Sequence, residues 1–217
     1  MSVARHWSPD PTFGILFVCT GNICRSAMAE RLSRAFLDDA LGEEFGVIAV
    51  RSAGTQAVVG SGMHPDSALV LAGFGGDTSG FAARQLVDDM AIDADLTLTL
   101  TRTHRRAVLK AAPRALARTF TLREAAELVQ LVGEEVDLAG ESFADRCRSL
   151  VKAMAAARPR RTSDHADDIT DPIGQPVEVH QQVGEAIAEA LLPLLSRLVS
   201  LGAPGAASGG SPLSLVG

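Results

Sequence analysis

GILFVCTGNICRSAMAE, residues 14–30, decides how the chain folds. Its first part is an unbroken apolar run closing on Cys19, as in a central strand covered on both faces. In its second part Met28, and beyond it Leu32 and Phe36, recur at helical spacing, so a helix begins near Arg25. Only Thr20, Gly21, Asn22, Ile23 and Cys24 separate the two. Strand, tight loop and helix in succession are the opening unit of an α/β fold with a parallel sheet. Downstream the alternation continues. Strands are expected over 46–51, over 95–100, where TLTL alternates β-branched and aliphatic side chains, and over 118–121. Helices are expected over 121–132, opened by a capping box of Thr121 and Glu124, over 142–157, and over 178–201. The last carries Val179, Val183, Ile187, Leu191 and Leu194 on one face, and Pro193 is placed to kink it.

With 217 residues, 47% of them hydrophobic, the chain can bury a real core. Twenty basic against 26 acidic residues leave a net charge of -6, which argues against a general nucleic-acid binder. No apolar leader follows a basic start, and the strongest apolar stretch, ALLPLL at 190–195, is too short to span a bilayer, so a cytoplasmic protein without membrane contact is expected. Cys19, Cys24 and Cys147 make no disulfide framework and no His/Cys spacing marks a metal site, so free thiols and no metal are expected. Residues 1–12 read as a flexible extension, and 202–217, rich in Gly, Ala, Ser and Pro, as a disordered tail.

The loop between strand and helix has a chemistry of its own. Backbone N–H groups from Thr20 to Ser26 can curl round one anion, and the start of the helix adds its partial positive charge. That is a phosphate-sized cradle with Cys19 at its base, where donors that bind an oxyanion also favour a thiolate. Arg25 can grip two phosphoryl oxygens through its planar fork, more strongly as phosphorus becomes trigonal bipyramidal. Cys19 can then attack in line, and Ser26 can donate its hydroxyl to the sulfur when it leaves. Asn22 suits the left-handed backbone such a loop requires. A cysteine behind a strand is most often only a small buried hydrophobe. What singles this one out is that the whole string C-T-G-N-I-C-R-S coincides with the switch from strand to helix.

The string resembles the active-site loop of the low-molecular-weight protein tyrosine phosphatases. The likeness extends to Glu30, SAGT (52–55), ARQL (83–86) and DITDPIG (168–174), in the right order over most of the chain. It implies a three-layer α/β sandwich over 13–201, with a four-stranded parallel sheet and helices on both faces. It also implies hydrolysis of phosphomonoesters without metal or cofactor, on phosphotyrosine-containing proteins. Carried over residue by residue, it makes Cys19 the nucleophile, Arg25 the phosphate-binding arginine, Ser26 and Asn22 the bracing pair, and Asp171 the proton donor. Cys24 matches a second thiol able to trap oxidised Cys19 as a disulfide. Val58 and Ile173 stand where relatives flank the substrate ring with aromatic residues, so with Ile23 the rim here is aliphatic, and the chain has no tyrosine. Ala27 replaces a common proline, and Gly80 stands where many relatives carry a histidine that supports the loop through Glu30. The surplus length between about 128 and 164 reads as a helical insertion.

Asp171 also has a reading from chemistry alone. A phenolate or alkoxide leaving group needs a proton, which a carboxylic acid on a loop above the cradle can supply before it deprotonates water in the second step. Against this, Asp164, Asp167, Asp168 and Asp171 read equally as a solvated acidic turn. Arg102, Arg105, Arg106, Lys110 and RPRR (158–161) read as a solvated basic face, and glycine-rich 73–80 as a loop. Two other functions stay open. An arsenate reductase uses the same loop but, in its thioredoxin-coupled form, needs further redox cysteines; only Cys147 is left, on an apolar helix face with Phe143, Leu150, Val151 and Met154. A silent phosphoprotein-binding module would not need nucleophile, arginine and acid together. Among phosphatases, a phosphoarginine branch tends to carry threonine where Ile23 stands, and an aliphatic residue there favours an aryl phosphate.

Overall fold

The computed structural model describes residues 12–42, 47–162 and 167–202. Four parallel strands, β1 (Phe13–Cys19), β2 (Ile48–Gly54), β3 (Leu96–Thr99) and β4 (Thr119–Thr121), form one sheet in the order β2-β1-β3-β4. All of β1 is buried, and its two-residue period divides the core. Phe13, Ile15, Phe17 and Cys19 face α1 (Arg25–Leu41), α2 (Pro65–Gly73), α5 (Leu122–Val132), α6 (Phe143–Ala157) and α7 (Val177–Ser200). Leu16 and Val18 face α3 (Asp88–Asp93), α4 (Arg102–Ala111) and the 3-10 turn Pro113–Arg118. Helices therefore cover both faces of a parallel sheet, and the loop after β1 opens at the carboxyl ends of the strands, where open α/β sheets bind ligands.

β2 differs from the expected strand. It runs on through Ser52 and Ala53 to Gly54 because it pairs residue for residue with β1, from Phe13 with Ile48 to Cys19 with Gly54. Gly46 lies outside the described residues, as do 1–11 and 203–217. The capping box is present: Glu124 N donates to Thr121 Oγ1 at 3.0 Å and Thr121 N to Glu124 Oε2 at 3.1 Å. Ser142 and Asp145 form a second one that opens α6. On α7 Val183, Ile187, Leu191 and Leu194 are buried, while Val179 is half-buried and Pro193 sits on the exposed side of a helix that continues past it. The stretch read as an insertion supplies α6, whose Cys147, Leu150, Val151 and Met154 join the main core.

The basic residues are only in part a solvated face: Arg106, Lys110 and Arg160 are exposed, while the other four are drawn into ion pairs. Arg158 Nε pairs with Glu124 Oε1 at 2.9 Å, Arg105 with Glu124 Oε2 at 3.7 Å, Arg161 with Asp167 at 2.6 Å and Arg102 with Asp168 at 3.3 Å. These pairs fasten the chain on either side of 163–166 to α4 and α5, which positions the segment that carries Asp171.

Candidate active site

Every carbonyl of the loop that finds a backbone partner turns outward. Cys19 O accepts from Thr55 N at 2.9 Å, Thr20 O from Gln56 N at 3.0 Å, Gly21 O from Val58 N at 3.0 Å, Ile23 O from His64 N at 2.8 Å and Cys24 O from Met28 N at 2.8 Å. A trans peptide points its N–H opposite to its C=O, so the amides of Thr20, Gly21, Asn22, Cys24 and Arg25 face the inside of the loop. That of Asn22 lies 3.3 Å from Cys19 Sγ. Asn22 reaches this geometry at φ +56°, the left-handed conformation expected of it. The segment that holds the carbonyls starts at Gly54, where a Cβ would stand 2.3 Å from Thr20 O and 3.0 Å from Asn22 N. No side chain fits between the end of β2 and the loop.

A chain of side chains braces the sulfur. Asn22 Nδ2 donates to Ser26 Oγ at 2.9 Å and to Ser52 Oγ at 2.8 Å, and Asn22 Oδ1 accepts from Arg84 N at 2.8 Å. With its oxygen already accepting, the Ser26 hydroxyl can point its proton at Cys19 Sγ, 2.9 Å away. Ser52 in turn donates to buried Glu30 Oε2 at 2.5 Å, and Glu30 is held by Arg34 at 3.0 Å and Arg84 at 3.7 Å. Gly80 is exposed and takes no part, so the hold on Glu30 comes from these two arginines. Ser52 gives SAGT its first role and Gly54 its second. Cys19 itself is only 2% exposed, at the bottom of the cradle.

Arg25 is buried too. Nη1 donates to Ile169 O at 3.1 Å and Nη2 to Asp171 Oδ2 at 2.6 Å, while Nε is buried without a hydrogen-bond partner. Asp171 is thus brought against the cradle with half of its side chain open to solvent. The acidic run is not a solvated turn: Asp167, Asp168 and Asp171 each hold a different arginine, and Asp164 lies outside the described residues. His104 had no signal in the sequence. Its Nε2 meets Thr20 Oγ1 at 2.9 Å and its Nδ1 meets Thr101 Oγ1 at 2.9 Å, at the start of α4. Burial first, and the charge of Arg25 second, push its pKa down to about 4, so a neutral imidazole links α4 to the loop.

The residues expected to form the rim are aliphatic and lie near the loop. Val58 and Ile173 are each about half exposed, Val58 beside Gly21 and Ile173 with its N–H on Asp171 Oδ1 at 3.3 Å. Ile23 is partly buried against Ala27, Phe81 and Ala83. Cys147 is far from any of this chemistry by character: fully buried, its thiol pushed up to about 12 by desolvation, it is core and not a redox partner. Although the sequence has no ligand spacing, Cys24, His64 and His180 come together as a group able to hold a metal ion.

The model of the family described as low molecular weight phosphotyrosine protein phosphatase matches residues 14–138. The chain belongs to this family. The phosphatase is 39% identical over 133 residues to the low molecular weight protein-tyrosine-phosphatase of Streptomyces coelicolor, a match covering 59% of this chain and 73% of that protein. Among solved structures it is similar to the low molecular weight protein tyrosine phosphatase from T. tengcongensis, with 27% identity, a TM-score of 0.60 and 85% and 99% of the two chains covered. It is similar to the same degree to the YwlE arginine phosphatase from Geobacillus stearothermophilus, with 26% identity, a TM-score of 0.60 and 87% and 94% covered. It is an enzyme with the cysteine-based phosphatase function of this family. The family match stops short of α6 and of Asp171. Among the described residues no helix is long and apolar enough to cross a membrane.

Proposed function

We propose that this phosphatase hydrolyses phosphotyrosine in protein substrates, in the cytoplasm, through a phosphocysteine on Cys19. The observation that carries the reading is the set of outward-tied carbonyls, which leaves a ring of inward amides around Cys19 Sγ and Arg25. A phosphoryl group in that ring is met by the amides and by the buried Nε of Arg25, and Arg25 exchanges Asp171 for phosphoryl oxygens. The thiolate attacks phosphorus as the P–O bond to the phenol breaks, and Asp171 passes its proton to the departing oxygen. Asp171 then takes a proton from water, which attacks phosphorus; phosphate leaves, and the electron pair returns to a sulfur that accepts from Ser26. Three free cysteines suit a reducing compartment. The thioredoxin-linked arsenate route lacks support, because Cys147 is sealed in the core.

A panel of phosphotyrosine peptides, phosphoarginine and arsenate tests the assignment. Phosphotyrosine peptides should turn over fastest and arsenate should not be reduced; faster hydrolysis of phosphoarginine would move the substrate to the class named for the Geobacillus stearothermophilus protein. Because Val58, Ile23 and Ile173 lack rings, the rim forgoes about 0.5–1.5 kcal/mol per aromatic pair. Ile173→Tyr should therefore raise kcat/KM for phosphotyrosine peptides by roughly 2- to 10-fold. No gain, in a wild type that prefers a non-aromatic phosphate, would remove the tyrosine specificity and leave the phosphomonoesterase.

Peroxide should inactivate the enzyme in a pH-dependent way. The Cys19 thiolate and peroxide give a sulfenic acid and hydroxide; the Cys24 sulfur then attacks, forming the disulfide and releasing water. Burial, the largest cause, pushes the Cys24 thiol up to about 11, so its thiolate is scarce at neutrality and grows about tenfold per pH unit. In chelator-treated protein, the share of activity that a dithiol restores should rise between about pH 7 and about pH 9. A share that does not change with pH, or that survives in Cys24→Ala, would exclude Cys24 as the trap.

A further inference from the structure

Cys24, His64 and His180 each offer one ligand atom, and these three atoms lie within 4.8 Å of one another. They come from three elements: the residue before α1, the residue before α2, and the first turn of α7. The imidazoles stack with centroids 4.8 Å apart and planes at 19°. His180 is completely buried, its Nδ1 meets Ser67 Oγ at 2.8 Å, and its Nε2 makes no hydrogen bond of good geometry although the Pro172 carbonyl acts on the ring; nor does the buried Nδ1 of His64. Buried nitrogens without partners are costly and rare in a settled core. Asp66 Oδ2 stands 3.9 Å from His64 Nδ1 and 4.0 Å from His180 Nε2, beyond hydrogen-bond reach of both.

We infer that these residues form a site for a zinc-like divalent ion, with the Cys24 thiolate and the two imidazoles as ligands and Asp66 as the fourth. One sulfur, two nitrogens and a carboxylate suit a borderline-soft metal in tetrahedral geometry. Bonds of about 2.0–2.3 Å space such ligand atoms roughly 3.3–3.8 Å apart, so Cys24, His64 and His180 need close by only about 1 Å, and Asp66, 3.9 Å and 4.0 Å from the two imidazole nitrogens, swings in from the exposed side to complete the set. Second contacts are in place, since Ser67 fixes the other nitrogen of His180 and His64 N is tied to Ile23 O at 2.8 Å. An ion here displaces the proton of Cys24 and joins the phosphate loop to α2 and α7. It takes no part in the hydrolysis, and its readout is independent of activity.

The test is equilibrium dialysis of the full chain against zinc, with cobalt(II) as a spectroscopic stand-in. Wild type and Cys19→Ser should each bind about one equivalent, and the cobalt form should show a thiolate charge-transfer band and tetrahedral d–d absorption. Cys24→Ser should lose the charge-transfer band, and His180→Gln should weaken binding by about 100-fold. His64→Ala, at a partly exposed helix start, does the same without emptying the core, so it decides the matter where His180→Gln does not fold. Absence of stoichiometric binding by wild type, or binding that survives in Cys24→Ser and His64→Ala but is lost in Cys19→Ser, would overturn the site and place the ion on the nucleophile instead.

Discussion

Cys19→Ser is expected to lower turnover by roughly 10⁴- to 10⁶-fold, the scale seen when a nucleophile is removed from an otherwise intact site. The serine oxygen would occupy the place of the sulfur, 2.9 Å from Ser26 Oγ and 3.3 Å from the Asn22 amide in the native protein, so the bracing chain has a partner in either case. A hydroxyl in that position is not ionised near neutrality and attacks phosphorus poorly. Binding should behave differently. The outward carbonyls, Gly54 and Arg25 are untouched, so phosphate or sulfate should compete with a fluorescent substrate analogue nearly as well as in wild type. Hydrolysis at a comparable rate would eliminate Cys19 as nucleophile, whereas loss of both binding and turnover would mean that the substitution disturbed the loop.

Asp171→Asn should lower kcat/KM, which reports the step that expels the phenol, by about 10²- to 10⁴-fold for phenyl phosphates with poor leaving groups. Its distance from Cys19 along the chain is bridged by the 2.6 Å pair with Arg25, which puts the carboxyl at the mouth of the cradle. The loss should shrink for nitrophenyl phosphate, whose phenolate departs without a proton. A second consequence follows from the ion pair. Asparagine cannot neutralise Arg25, so oxyanion inhibitors should bind the variant at least as tightly as wild type. An equal loss for all leaving groups, with weaker inhibitor binding, would reduce Asp171 to a residue that positions Arg25.

The unit of β1, loop and α1 was legible because three signals fall on the same residues: a run buried on both faces, a helical period, and the C-T-G-N-I-C-R-S string between them. The end of β2 was not, since Ser52, Ala53 and Gly54 have no strand character of their own and are extended only by pairing with β1. Charge was the least readable feature. Arg102, Arg105, Arg158 and Arg161 look like a solvated face until Glu124, Asp167 and Asp168 are brought to them, and nothing along the chain announces which acid meets which base. His104 is hidden in the same way, as is the meeting of Cys24, His64 and His180, whose spacing follows no ligand pattern because three separate elements supply them.

The central claim is a covalent phosphoryl group on Cys19, and the Asp171→Asn variant makes it measurable. With nitrophenyl phosphate the first step needs no proton, while the second lacks its base, so the intermediate should accumulate. Rapid acid quench followed by peptide mass spectrometry should find the phosphoryl group on the sulfur of Cys19 in the peptide bearing CTGNICR. A phosphoryl group on another side chain, or no adduct while nitrophenol is being released in a pre-steady-state burst, would contradict the mechanism.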